Sequence, residues 1–137
     1  MDFVTFEIAK KLKEKGFYYK CVSTYDKDGM LGDNYIQPTS IRAIGFDELL
    51  YSHNVENDGC IDAPTISQVL KWLREEKLIL IALSPTQEYD CNGFIGWCAT
   101  VYKADKQGGM SWKEEFYYQS YELAALVGIE YCLDNLI

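Results

Sequence analysis

The sequence predicts an α+β domain: an antiparallel sheet, made of a three-stranded meander plus an N-terminal hairpin, covered by helices mostly on one face. Three observations carry this. "LILIAL" and "FIGWCATVYK" are strand-like runs, the second alternating Ile95, Trp97, Ala99 and Val101 on one side. Amphipathic stripes at helical spacing flank that region on both sides. Turn-rich segments, "SPTQEYDCNG" and "ADKQGGMS", separate the strands of the second half, which reads as a three-stranded meander.

Taken in order, a first helix is expected over about Thr5 to Lys15, with Thr5 as its cap, Phe6, Ile8, Ala9 and Leu12 as its apolar face, and Gly16 as its stop. Tyr18 to Tyr25 reads as a strand, Asp28-Gly29 as a tight turn, and part of Tyr35 to Ile44 as an edge strand marked by Pro38. Phe46 to His53 suits a short helix, followed by a polar connector. Pro64 fits the first turn of a second long helix, and Thr65 to Gln68 has capping-box spacing. Ile66, Val69, Leu70 and Leu73 then form its stripe, with Trp72 at the flank where its ring can seal an edge. "LILIAL" is apolar on both faces and predicts a central strand on which this helix is laid. "SPTQEYDCNG" reads as a turn, Trp112 to Gln119 as a third strand, and Ser120 as the cap of a C-terminal helix. The second half is therefore α-β-β-β-α. The junctions "KKLKEKGFYYKCVS" and "KWLREEKLILIALS" match loosely, a helix end running straight into a strand.

At 137 residues the chain is expected to form a single domain, 1–137, large enough to fold without metal or disulfides. Five cysteines (Cys21, Cys60, Cys91, Cys98, Cys132) contain no C-x-x-C pair and read as reduced thiols, mostly core hydrophobes. No apolar run approaches the ~20 residues of a membrane span, and the N-terminus shows no signal-peptide pattern. The expected compartment is the cytoplasm.

The net charge is −8. Residues 1–20 carry five Lys against three acids, residues 21–63 two basic residues against eight acids, and residues 120–137 three acids and no basic residue. Phosphate neutralisation dominates nucleic-acid binding, so this balance weighs against that class. Its strongest foothold is Lys10, Lys11, Lys13 and Lys15, a weak nucleic-acid patch on the first helix.

No site chemistry stands out. "DKDGMLGDNYIQ" has Leu31 and Gln37 where a calcium loop needs Gly and Glu, so it reads as a hairpin turn. His53 and Cys60 lack the paired ligands of zinc sites. His53 is the single histidine, and neither a nucleophile elbow nor a phosphate-binding glycine motif is present. No cofactor or metal is expected, and the protein reads as non-enzymatic. The C-terminal helix is the most suggestive surface. Tyr121, Ala125, Gly128, Ile129, Cys132 and Leu136 form one stripe, Leu126 and Leu133 widen it, and Leu123 lies nearly opposite. Leu123, Leu126, Leu133 and Leu136 are accordingly candidate interface residues for a protein partner or a second copy.

The order of elements over residues 64–136 resembles double-stranded-RNA-binding domains, which open their last helix with phosphate-clamping lysines; here that helix starts "SYELAALVGIEYC" with Glu122 and no basic residue. That closing helix also resembles those of antitoxins paired with ribonuclease toxins, which would imply an antitoxin-like regulator. Three segments, "FVTFEIAKKLKEKGF", "IDAPTISQVLKWLREEK" and "SYELAALVGIEYCLDNLI", together resemble a family of small proteins without an assigned activity from gut Bacteroides-type bacteria, often found in phage or mobile-element gene clusters. That resemblance implies an accessory or host-interaction role and passes no function to any residue.

Overall fold

The computed structural model describes residues 2–33, 54, 59–87 and 95–137. They form two compact units, Met1–Gln68 and Val69–Ile137. The expected strand within Tyr35 to Ile44, the short helix Phe46 to His53, His53 itself and Cys91 lie outside the described residues.

The first unit opens with α1, Phe6–Glu14, whose first turn is capped by Thr5 Oγ1 accepting from the Ile8 N–H at 3.3 Å. Ile8, Ala9 and Leu12 form its buried face. Gly16 ends it in the left-handed region at φ +85°, and the Phe17 N–H returns to the Leu12 carbonyl at 3.0 Å. Three short strands follow: β1 Ser23–Tyr25, β2 Leu31–Asp33 and β3 Ile61–Asp62, antiparallel in the order β2-β1-β3. β1 is much shorter than the expected Tyr18 to Tyr25, and β3 falls where a connector was expected to pass directly into a helix. The N-terminal segment is tied down by the Val4 N–H to the Pro64 carbonyl (3.0 Å), the Ile66 N–H to the Asp2 carbonyl (2.9 Å) and the Tyr25 hydroxyl donating to the Val4 carbonyl.

The boundary between the units falls inside α2, Ile66–Glu76. Its capping box is reciprocal: the Thr65 N–H donates to Gln68 Oε1 at 3.0 Å, and the Gln68 N–H donates to Thr65 Oγ1 at 3.2 Å. Pro64 thus precedes the cap instead of occupying the first turn. Ile66, Val69 and Leu73 are buried as their spacing predicts, but Trp72 is buried too, with Lys77 Nζ 5.3 Å from its ring centroid, and is not an edge seal. α2 stops at Leu78, which takes φ +57°. Of the two loosely matching junctions only this one runs straight into a strand, at Ile79; after Gly16 the chain passes through residues 17–22 before β1 begins at Ser23.

In the second unit β4 Ile79–Gln87, β5 Ile95–Ala104 and β6 Met110–Tyr118 form an antiparallel meander in the order β4-β5-β6. "LILIAL" is consequently an edge strand and β5 is the centre. β4 also runs through Ser84 to Gln87, placed above in a turn; Pro85 is accommodated because an edge position needs no outward N–H. α3, Tyr121–Asn135, lies across all three strands and is the helix that covers this sheet. Gly128 sits against Ile81 and Ala99, Trp97 meets Tyr121 edge-on at 5.1 Å, and Phe116 meets Tyr131 at 5.4 Å. Lys103 Nζ donates to the Leu136 carbonyl at 3.0 Å, so β5 supplies the cation that α3 lacks at its own C-terminus.

The hairpins in the two units use one turn chemistry. Asp26 Oδ1 accepts from the N–H groups of Asp28 (2.9 Å) and Met30 (3.0 Å), and Asp105 Oδ1 from those of Gln107 (2.9 Å) and Gly109 (2.8 Å). Gly29 and Gly108 take φ +80° and +90° in the two turns.

Candidate functional site

The meander has an inner face, lined by Ile81, Ala99 and Phe116 under α3, and an outer face. The register writes the outer face as cross-strand rows: Leu80, Tyr102 and Trp112, then Ala82, Thr100 and Glu115, then Ser84, Cys98 and Tyr117. Met110, opposite Ala104, extends it at one end. Met110, Trp112 and Tyr117 are 54%, 55% and 51% exposed, and Leu80 is 36% exposed. Cys98 and Thr100 lie low on the central strand and are buried, their side chains 3.5 Å apart. Burial is what keeps such short polar groups paired with each other. Glu115 is the one charged side chain in these rows, and its Oε2 accepts from the Tyr117 hydroxyl at 2.8 Å. That bond holds the Tyr117 phenol up at about 12, with the charge of Glu115 adding to the effect.

Trp112 and Tyr117 share a face because of an irregularity. They are five residues apart, an odd separation that strict alternation would put on opposite faces. The register slips between Val101 and Tyr102, with Val101 opposite Glu114 and Tyr102 opposite Trp112, which leaves Lys113 as the extra residue of a bulge. The bulge is what brings tryptophan, glutamate and tyrosine together.

Both strands at the rim of this sheet have blunted edges. β4 contains Pro85, and on β6 the Glu115 N–H is taken by the neighbouring Glu114 Oε1 at 3.0 Å.

The candidate residues of α3 divide. Leu133 is buried and belongs to the core, because the buried residues Ala124, Ala125, Gly128, Ile129, Cys132 and Leu133 occupy about half of the helix circumference. It is therefore not a surface contact. Leu126 and Leu136 are half-buried, and Leu123 is exposed. On α1 the lysines do not form one stripe: Lys10 and Lys13 lie on one flank of the buried face and Lys11 and Lys15 on the other. Lys10 Nζ bonds Glu7 at 3.0 Å and sits 4.7 Å from the Phe6 ring centroid.

A buried polar cluster occupies the first unit. Asp62 is fully buried; its Oδ2 accepts from the Asn54 N–H at 3.2 Å, and its N–H donates to Asn54 Oδ1 at 3.0 Å. Asn54 Nδ2 also donates to the Phe17 carbonyl at 3.0 Å. Burial, with the charge of Asp62 adding to it, pushes the nearby Cys21 thiol far up, and burial lifts Cys132 to about 12. These thiols are thereby removed as nucleophiles at neutral pH. Among the described residues, no group of three or more His, Cys, Asp or Glu side chains is placed to hold a metal, and no helix is long and apolar enough to cross a membrane.

In comparisons with known proteins, no family model, no curated protein and no solved structure matches this chain.

Proposed function

We propose that this is a non-enzymatic interaction protein that engages another protein, in the accessory role that its resemblance to small mobile-element-associated proteins implies. One observation carries the reading: the outer face of the meander leaves Leu80, Met110, Trp112 and Tyr117 exposed, with Glu115 between Trp112 and Tyr117. This surface replaces the closing helix as the main candidate contact, with Leu123 an additional exposed leucine.

The test is affinity capture from host lysate with the intact chain and with a Leu80→Ser/Trp112→Ser variant, alongside light-scattering mass. A partner retained by the native chain and lost by a folded variant supports the proposal. A strict monomer that captures the same proteins with and without the patch refutes it.

A further inference from the structure

We draw no further inference here: the strongest candidate, the outer face of the β4-β5-β6 meander around Leu80, Trp112 and Tyr117, is interrupted by Glu115 and carries no proposal because nothing in the structure shows what covers it.

Discussion

Replacing Asn54 with alanine tests whether the clamp between Asn54 and Asp62 holds the first unit together. The substitution deletes Oδ1, the acceptor for the Asp62 N–H at 3.0 Å, and Nδ2, the donor to the Phe17 carbonyl at 3.0 Å, while the Asn54 N–H to Asp62 Oδ2 bond remains available. Asp62 is fully buried, so water does not readily replace the lost acceptor. An unsatisfied buried donor costs about 1–3 kcal/mol, and losing the bond to Phe17 adds about 1, for a total of about 2–4 kcal/mol. Urea unfolding followed by far-ultraviolet circular dichroism and tyrosine absorbance measures this as a lower midpoint at unchanged slope, the three tryptophans all lying in the second unit. Asn54→Ala combined with Asp62→Ala should lose less than the sum of the single variants, with a coupling of about 1–2 kcal/mol. A loss below about 0.5 kcal/mol for Asn54→Ala would show that the Asp62 N–H is satisfied without the amide, and would refute the reasoning.

Three further outcomes follow from the geometry. A Cβ at Gly128 would lie 3.4 Å from Ile81 Cγ2 and 3.5 Å from the Ala99 Cβ, an ordinary contact. Gly128→Ala should therefore raise stability by about 0.5–1 kcal/mol through helix propensity, whereas Gly128→Leu should cost about 1–3 by overpacking; thermal unfolding that shows alanine destabilising would contradict this packing. Glu115→Gln should bring the Tyr117 phenol from about 12 back toward the ordinary 10.0 in an ultraviolet pH titration. Because the folded value is the raised one, the stabilising contribution is complete below 10.0 and is lost as pH rises through about 12. Among the described cysteines, half-buried Cys60 should react first with a maleimide at neutral pH, and Cys21 and Cys132 only on unfolding; mass spectrometry of the labelled peptides decides it.

Much of the local structure is legible in the sequence because its causes reach no further than four residues. Thr5, the Thr65–Gln68 box and Ser120 each cap a helix through a side chain that bonds an N–H three positions on. Gly16 ends α1 for want of a Cβ, and alternation marks β5. What the sequence settles alone is thus the existence and type of the long elements and the α-β-β-β-α order of the second half. Tertiary structure decided the rest, because it depends on pairings between distant residues. Strand order made "LILIAL" an edge and left Leu80 in solvent. The two-residue β3 exists through its pairing with β1, which also takes Asp62 out of water. Leu133 became core because the buried arc of α3 is wider than a single stripe. The candidate interaction surface was the least legible feature: Trp112 and Tyr117 stand at an odd separation in sequence, and only the slip in register against β5, with Lys113 left over, turns them to the same face.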